Sequence, residues 1–406
     1  MARKGFFSSS TLEKQKAPLY KVARCGLCQL YKTCKSPKMP VSGRGKKKIL
    51  ILGEAPGANE DEQGKPFVGK AGLLLSNTLQ RLGIDMRRDC WITNALICRP
   101  EGNATPTDKQ IAYCRPNVTK AIQELNPEII IPLGAVAVKS LIAPLWKESV
   151  GNITRWLGWR IPNQKLNAWI CPNYHPSYIN RLEKTNQGPV ALNLFEQFLE
   201  SAIERTKLGR PWLETPNYST QVERIFDEEK AARIIHKMIE KGGRAAFDYE
   251  TNMLKPDSKE AKIICCSICY EGRKTIAFPW LGSAITAMGE FLRSERVEKI
   301  ASNLKFEERW TRKEFGHGVK RWSWDTMLGA HWLDNRRGIT SIKFQAFILL
   351  GMEDYNHHIE KYLHAKGGNK SNKIDEIEMS ELLQYCALDS LLEYIVADIQ
   401  EGQCPK

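Results

Sequence analysis

Short apolar segments, each followed by a loop rich in glycine or polar residues, recur along the first half of the chain. The segment Lys48–Leu52 is apolar after its first residue, which is typical of a buried parallel strand, and Leu73–Leu82 beyond its loop has helical spacing. The same pattern predicts three more strands and a helix, at Trp91–Thr93, Glu128–Pro132, Ala135–Ala143 and Ala168–Cys171. Strands that alternate with helices predict a three-layer α/β domain with a mostly parallel sheet.

The loops that follow these strands carry side chains capable of chemistry. In an open parallel sheet, residues that follow the carboxyl ends of the strands share one crevice, where such folds bind ligands. The residues that the pattern places there are Glu54, Glu60, Phe67, Asn94 and His175. The first loop contains neither GxGxxG nor GxxxxGK(S/T), so the sequence predicts a ligand other than a dinucleotide or a nucleoside triphosphate.

A second core begins after Gly209–Pro216, a polar stretch bracketed by prolines where the apolar pattern lapses. Asp227–Lys241 has helical spacing, and Arg244–Phe247 is predicted to be a strand. Further strands are predicted at Ile263–Tyr270 and Lys274–Phe278. Strands that follow one another this closely predict an antiparallel start to a mixed sheet.

Paired acidic residues mark this second core. Asp248 and Glu250 follow the predicted strand two residues apart, and alternate residues of a strand point to the same face, so both carboxylates can reach one divalent metal ion. Tyr385 and Asp389 are four residues apart within the helix predicted at Ser380–Ile399, so they are neighbours on one helical face.

The length and net charge of the chain indicate how many domains it has and what kind of partner it binds. A chain of 406 residues exceeds one ordinary core, so two domains are expected. The formal net charge of +14 favours a polyanionic partner, which for such a chain is most often nucleic acid. No run of eighteen apolar residues and no signal-peptide core is present, so the sequence predicts a cytoplasmic protein with no membrane partner.

Twelve cysteines in a reducing compartment indicate metal binding more than a disulfide framework. Cys25 and Cys28 form a CxxC pair, whereas Cys98 and Cys114 are each followed by Arg-Pro. Four thiolates suffice for a structural zinc or an iron–sulfur cluster, and Cys34 is a spare candidate for the fourth ligand.

Four motifs of the first half occur in the order and spacing of a known family. They are the loop GEAPGANEDEQGKPFVGKAG, the segment TNALICRPEGNATPT, the second CRP and the loop YHPS. Over about residues 20–205 the chain closely resembles the family 4 uracil-DNA glycosylases, the iron–sulfur class of that superfamily. The resemblance implies that a 4Fe–4S cluster is held by Cys25, Cys28, Cys98 and Cys114. Because Arg99–Pro106 follows the ordinary pattern and has no basic insert, turnover is expected.

The chemistry of base excision requires the side chains that these motifs supply. An enzyme that cuts an N-glycosidic bond extrudes the nucleotide, grips the base and stabilises the charge on the departing base. Phe67 can stack on the base, Asn94 can bond its pairing edge, and His175 can donate to the carbonyl oxygen that becomes anionic. Either Glu54 or Glu60 is expected to position water or stabilise the sugar cation. The resemblance also assigns substrate contacts to Gly53, Ala55 and Ser177.

The second half resembles the proofreading 3′–5′ exonuclease domain of family A DNA polymerases over about residues 223–400, which implies a ribonuclease H-like fold. In that family four acidic residues and a tyrosine form the site. The resemblance implies that two divalent ions, Mg²⁺ or Mn²⁺, are held by Asp248, Glu250, Glu307 and Asp389, with Tyr385 orienting the water. Glu307 stands where the family has aspartate, which leaves Asp325 as a reserve ligand.

The expected organisation is a flexible segment at 1–19, a glycosylase-like domain at 20–208, a linker at 209–222 and an exonuclease-like domain at 223–402. The predicted function is a uracil-DNA glycosylase fused to a two-metal 3′–5′ exonuclease, acting on single- or double-stranded DNA. The alternative is a non-catalytic uracil- or template-binding module of a split or truncated phage DNA polymerase, with a polymerase as partner in trans. The resemblance to phage polymerases implies a bacterial or phage-infected host cell. A purely structural iron–sulfur protein is disfavoured by the motifs around Phe67 and His175.

Overall fold

The computed structural model describes residues 21–404 apart from 147–148, 354, 356–357, 366 and 368. The segment 1–19, expected to be flexible, lies outside the described residues. The chain divides into two units. The residues up to Gly158 form the first unit together with Ile170–Gly209, and Trp159–Trp169 groups with the residues from Arg210 onward. The expected fold class, an α/β domain followed by a domain with a mixed sheet, is confirmed.

The first sheet has the strand order β2-β1-β3-β5-β4. Its strands are β1 (Ile49–Gly53), β2 (Cys90–Asn94), β3 (Ile129–Pro132), β4 (Ile161–Asn163) and β5 (Ala168–Ile170). The central strand β1 is buried along its whole length and runs parallel to β2 and β3. A strand flanked on both sides and covered on both faces has no polar face, which explains its continuous apolar run.

The described residues of the first unit form eight α-helices. They are α1 (Cys25–Cys28), α2 (Ala58–Gln63), α3 (Lys70–Arg81), α4 (Met86–Asp89), α5 (Asp108–Leu125), α6 (Gly134–Ile142), α7 (Pro176–Leu182) and α8 (Gly188–Glu204). The longest of these, α5, starts with a capping box between Thr107 and Gln110 and ends at Asn126 in the left-handed conformation. Because α1 packs against α5, the CxxC pair lies beside the helix that carries Cys114.

The second sheet has the strand order β11-β10-β7-β8-β9-β6. Its strands are β6 (Val222–Arg224), β7 (Gly243–Thr251), β8 (Ile263–Tyr270), β9 (Lys274–Pro279), β10 (Val297–Ala301) and β11 (Trp322–Asp325). β7, β8 and β9 pair antiparallel, whereas β10 runs parallel to β7 and β11, and β6 runs parallel to β9. The sheet is therefore mixed, with the antiparallel start expected from the sequence.

The helices of the second unit pack on both faces of this sheet. They are α9 (Glu228–Lys241), α10 (Gly282–Arg293), α11 (Lys305–Phe315), α12 (Thr326–Leu333), α13 (Ile342–Leu350), α14 (Glu360–Leu363) and α15 (Met379–Gln403). Phe247 and Tyr249 of β7 belong to the core under α9 and α10. By strand alternation Asp248 and Glu250 face the opposite side, where α15 contacts β7. Among the described residues, none of the helices has the length and hydropathy needed to cross a bilayer.

Candidate active sites

A cleft of about 770 Å³ opens at the carboxyl ends of the first sheet. All five residues that the sequence placed in this crevice line it, together with the predicted contacts of the base: Glu54, Ala55, Glu60, Phe67, Asn94, His175 and Ser177. Gly53 lies directly under the cleft, because a Cβ atom there would come within 2.2 Å of Asn94 Oδ1 and 2.7 Å of the Phe67 ring. Only glycine leaves room at this position for both side chains.

Phe67 is held in a strained backbone conformation by contacts from another part of the chain. Its φ of 55° lies in the left-handed region, which is costly for a residue with a bulky side chain. The Arg87 guanidinium donates to the carbonyl oxygens of Pro66 (2.7 Å) and Phe67 (3.1 Å). The Phe67 ring in turn stacks near His175, with 5.9 Å between the ring centroids. The sequence analysis missed Arg87, because it lies twenty residues from Phe67 and belongs to no motif.

Glu60 and Glu54 have different surroundings. Glu60 Oε1 accepts hydrogen bonds from the backbone N–H groups of Val68 (3.1 Å) and Gly69 (3.0 Å), so this carboxylate fixes the loop that carries Phe67. Glu54 is partly buried in the cleft wall, and burial raises the pKa of its carboxyl group while the charge of Arg181 opposes that shift. The two carboxylates, which the sequence left undistinguished, therefore differ in their contacts.

His175 is the N-cap residue of α7 and is held by the residues that follow it. Its Nδ1 accepts from the Ser177 backbone N–H (3.2 Å) and lies 2.8 Å from Ser177 Oγ. Arg181 donates to that Oγ at 3.3 Å. Burial and the charge of Arg181 lower the pKa of His175 to about 4. The ring is therefore neutral at physiological pH, and because Nδ1 accepts, the proton is on Nε2.

The four cysteines expected to bind a cluster line one small pocket with an apolar wall. The lining consists of Cys25, Cys28, Leu30, Tyr31, Leu96, Ile97, Cys98, Tyr113 and Cys114. Two of the sulfurs accept N–H groups: Cys98 Sγ accepts from the Lys38 backbone (3.2 Å), and Cys114 Sγ accepts from Asn117 Nδ2 (3.4 Å). Such bonds orient and stabilise ligand thiolates. The donor set and its surroundings therefore fit a 4Fe–4S cluster.

Cys34, the spare candidate, is not among the described residues that line this pocket. Its thiol nevertheless lies near that of Cys98, whose pKa is raised to about 12, chiefly by burial. The segment after Cys34 is tied to the cleft by Asp61 of α2, whose carboxylate accepts from the backbone of Lys35 (3.1 Å) and Ser36 (2.8 Å). Asp61 also lies 3.7 Å from Arg99, the residue after Cys98. This buried aspartate, which the sequence analysis missed, links the cysteine segments to the helix that carries Glu60.

The second unit brings together acidic residues of β7 and α15. Ligand atoms of Asp248, Glu250 and Cys386 all lie within 4.8 Å of one another. The Cys386 thiol is 3.9 Å from Asp248 Oδ2. Burial, followed by the charges of neighbouring carboxylates, raises the pKa of both Asp248 and Glu250 well above the usual range. Cys386 was not predicted, because a cysteine inside a helix carries no signal of its own.

Asp389 is held by two tyrosines. It accepts a short hydrogen bond from the Tyr355 hydroxyl, and Tyr385 also bonds to it. The rings of Tyr355 and Tyr385 lie 5.9 Å apart. The positive charge of Lys343 acts on Asp248, Glu250 and Asp389 alike. Tyr355 and Lys343 lie outside the predicted motifs, and only the packing places them beside the site.

Glu307 and Asp325 differ sharply in their contacts. Glu307 is 2% exposed, and its Oε2 is buried with no hydrogen-bond partner among the described residues. The Asp325 carboxylate accepts from the backbone N–H groups of Asn303 (3.0 Å), Leu304 (3.1 Å) and Met327 (2.9 Å). Asp325 therefore caps α12 and anchors the start of α11. These contacts give Asp325 a structural role, and its role as a reserve ligand stays a prediction.

Comparison with known proteins gives a different result for each half. Residues 40–200 match the family model of the uracil DNA glycosylase superfamily, and residues 222–400 match that of the 3′–5′ exonuclease. The type-4 uracil-DNA glycosylase of Saccharolobus solfataricus is 38% identical over 159 residues, which are 38% of this chain and 72% of that protein. That of Thermotoga maritima is 36% identical over 181 residues, which are 44% of this chain and 88% of that protein.

A third relative covers most of the chain. A DNA polymerase of Bacillus phage SP01 is 27% identical over 335 residues, which are 74% of this chain and 34% of that protein. The two resemblances drawn from the sequence, one for each half, are thereby confirmed.

Proposed function

We propose that this chain, which belongs to the type-4 uracil-DNA glycosylase family through its first half, excises uracil from DNA and trims DNA 3′ ends with its second half. Residues 20–208 would carry the first activity and residues 223–402 the second. The observation that carries the first proposal is the convergence of Phe67, Asn94 and His175 on one cleft, with a contact network that leaves a proton on His175 Nε2.

Recognition of the flipped base rests on three side chains. Phe67 offers a ring face on which uracil can stack. The hydrogen bonds from Arg87 stabilise its strained backbone conformation before the substrate binds. Asn94 offers one donor and one acceptor to the pairing edge of a pyrimidine. Asn94 is buried against Gly53, so its amide is fixed before the substrate arrives.

Bond cleavage places negative charge on the uracil ring, and His175 meets that charge. As the bond between C1′ and N1 breaks, its electron pair moves into the ring and onto the adjacent carbonyl oxygen. His175 Nε2–H can donate to that oxygen, and because the imidazole is neutral it stabilises the anion without transferring a proton to it. A preorganised donor of this kind accelerates a reaction by about 10²–10³-fold.

Water then adds to C1′, and we assign its activation to Glu54. Both carboxylates line the cleft, but Glu60 Oε1 accepts from the backbone of Val68 and Gly69, whereas the Glu54 carboxylate has no such backbone bond in the described part of the chain. Its carboxylate accepts the proton that the water loses, and that proton ends on the uracil anion. Glu60 would act as the residue that holds the base-stacking loop.

The iron–sulfur group has a structural role in this scheme. Cys25, Cys28, Cys98 and Cys114 would hold the 4Fe–4S cluster, which when bound supplies four iron–thiolate bonds that join α1 to α5 and to the loop after β2. Asp61 then carries that constraint to α2 and Glu60. The purified protein is expected to be brown. Loss of colour in Cys28→Ala with colour retained in Cys34→Ala would support the assignment. The opposite result would mean that Cys34 is a ligand of the cluster in place of Cys28.

For the second half, Asp248, Glu250, Glu307 and Asp389 would hold two divalent ions, which when bound activate water and stabilise the leaving 3′ oxygen. Tyr385 would orient the water that attacks the terminal phosphodiester. The lengthened side chain of Glu307 is the observation that favours a second candidate, in which this half only binds template or positions a polymerase in trans.

One experiment separates these functions. End-labelled single- and double-stranded DNA containing one uracil is incubated with the protein in EDTA or Mn²⁺, and half of each sample is treated with alkali. Cleavage at the uracil only after alkali, with and without EDTA, is the expected glycosylase product, and shortening from the 3′ end only with Mn²⁺ is the expected exonuclease product. His175→Ala should lose the first product, whereas His236→Ala, at an exposed histidine of the other unit, should not. DNA that is bound but never cleaved would favour the binding module.

A further inference from the structure

Glu393 lies one helical turn beyond Asp389 on α15 and belongs to no motif of the sequence analysis. Cys386, Asp389 and Glu393 have the spacing i, i+3, i+7, so they form one stripe along the helix. That stripe faces β7, because α15 packs against β7 and the Cys386 thiol lies 3.6 Å from the Asp248 carbonyl oxygen. The charge of Asp248 also acts on Glu393. Glu393 is only 2% exposed. A buried glutamate at this position requires a partner of opposite charge or a proton.

The two oxygens of Glu393 have different surroundings. Oε1 accepts from the Ser302 backbone N–H at 3.1 Å, which fixes the direction of the carboxylate. Oε2 is buried without a hydrogen-bond partner in the described part of the chain. Ser302 directly precedes the segment Asn303–Glu307, so this single bond ties α15 to the segment that carries Glu307. The Oε2 of Glu307 is likewise buried and without a described partner.

The charges around these two oxygens are mainly negative. The charges that act most on Glu393 are those of Asp248, Glu307 and Asp389, and those that act most on Glu307 are Asp248 and Asp325. Buried carboxylates close enough for their charges to act on one another repel one another, and a bound cation relieves that repulsion. Lys343 serves Asp248, Glu250 and Asp389 in this way.

We propose that Glu393 is a fifth acidic residue of the cation site and that it forms, with Glu307 and Asp248, an all-carboxylate binding position for a divalent cation. Among the described residues, the ligand atoms that already lie within 4.8 Å of one another are those of Asp248, Glu250 and Cys386, which include a thiol. A cation at the proposed position would draw the carboxylates of Glu307 and Glu393 toward Asp248. Oxygen donors alone select cations such as Mg²⁺ and Mn²⁺ over thiophilic ones. In this arrangement the carboxylates of Glu307 and Glu393 would bind the same cation.

The proposed cation position adds a residue to the exonuclease site of the proposed function. Only its effect on DNA trimming rests on that proposed function. Cation binding itself is measured on the whole chain without DNA. A protein that binds the cation through Glu393 and yet trims no DNA would therefore contradict the proposed activity and leave the binding site intact.

The test is a Mn²⁺ titration of the full chain, in which the electron paramagnetic resonance signal of free Mn²⁺ measures binding. Thermal denaturation with and without Mn²⁺ gives a second measurement. Glu393→Gln keeps an amide oxygen for Ser302 and loses only the charge, so the variant should fold. We expect one of the Mn²⁺ ions bound by the second unit to bind at least about tenfold more weakly, because one anionic ligand is removed. The rise in melting temperature caused by Mn²⁺ should shrink accordingly.

Three further variants make the result decisive. Glu307→Gln should weaken the same ion, and the double variant should lose little more, because both side chains would serve one position. Asp248→Ala should weaken both ions, and Glu381→Gln, on the exposed side of α15, should change neither. Unchanged Mn²⁺ binding in Glu393→Gln would overturn the proposal and leave Glu393 as an anchor for Ser302. If that variant does not fold, unchanged binding in Glu307→Gln would overturn it instead.

Discussion

The two sites of this chain treat buried polar groups in opposite ways. In the first unit two polar groups of the cleft are partnered by protein: Glu60 by backbone N–H groups, and His175 by Ser177. In the second unit, Glu307 and Glu393 each keep a buried oxygen without a described partner. A site whose polar groups are already satisfied can act on a neutral base with no added ion, whereas a cluster of buried carboxylates requires cations to become stable and active. The structure therefore predicts one activity that needs no added metal and one that does.

Metal removal is the largest effect that separates the two sites. EDTA should abolish 3′ trimming and leave uracil excision unchanged, provided that the absorption of the cluster shows it to be intact. Asp248→Ala should have the same selective effect, because Asp248 contributes to both proposed cation positions. Loss of excision in EDTA with an intact cluster would contradict the claim that the first site needs no added metal.

The second-largest effect is expected when a side chain that faces the base is removed. His175→Ala and Asn94→Ala should each slow uracil excision by about 10²-fold or more, because each removes a preorganised partner of the departing base. Single-turnover kinetics on uracil-containing DNA would measure this. Trimming of a uracil-free strand by the same variants is the control and should not change. A reduction below threefold in both variants would contradict the assigned roles.

The acid stability of the first unit should depend on His175. Its pKa is lowered from 6.5 in the unfolded chain to about 4 in the fold, so the unfolded state binds the proton first as the pH falls. The folded state therefore loses stability between pH 6.5 and about 4, by up to about 3 kcal/mol from this residue alone. Urea denaturation across that range should show a smaller loss in His175→Gln than in the unmodified chain. An equal loss in both would indicate that His175 is not buried in its neutral form.

A smaller effect is expected where Arg87 holds the loop of Phe67. Arg87→Lys keeps the charge but loses the fork that reaches the carbonyls of Pro66 and Phe67. Without that support the strained backbone at Phe67 can relax, so KM for uracil-containing DNA should rise by about tenfold. Arg88→Lys, at a neighbouring arginine that pairs with Asp89, is the matched control. Equal KM values in the two variants would show that Phe67 does not depend on Arg87.

The smallest effect concerns the length of one carboxylate. Glu307→Asp should increase trimming with Mg²⁺ by a few-fold relative to Mn²⁺, because Mg²⁺ demands a tighter octahedral geometry and the shorter side chain restores the reach of the aspartate expected at this position from the exonuclease resemblance. The ratio of the rates in the two metals is the measurement. If Glu307→Asp leaves an inactive second unit inactive in both metals, the binding-module hypothesis becomes the better one for that half.

Local sequence patterns were sufficient for the placement of most site residues. The predicted apolar runs end within one residue of the ends of β1, β2 and β3, and the parallel register of these strands brings Glu54 and Asn94 to one edge of the sheet. The same logic placed Asp248 and Glu250 on one face of β7. Cys386 and Glu393 were missed because α15 is buried on nearly all sides, so no alternation of buried and exposed positions singles out one of its faces.

The sequence by itself determined the two-part α/β organisation, the strand-end residues of the cleft and the pairing of Tyr385 with Asp389, because each follows from a period of two or 3.6 residues. Only the tertiary structure decided which carboxylate holds the Phe67 loop, which nitrogen of His175 carries the proton, and that Glu393 meets Ser302 across 91 residues of chain. The physical reason is that a periodic pattern specifies the face on which a residue lies. The partner it meets there depends on how separate elements pack, which no local pattern encodes.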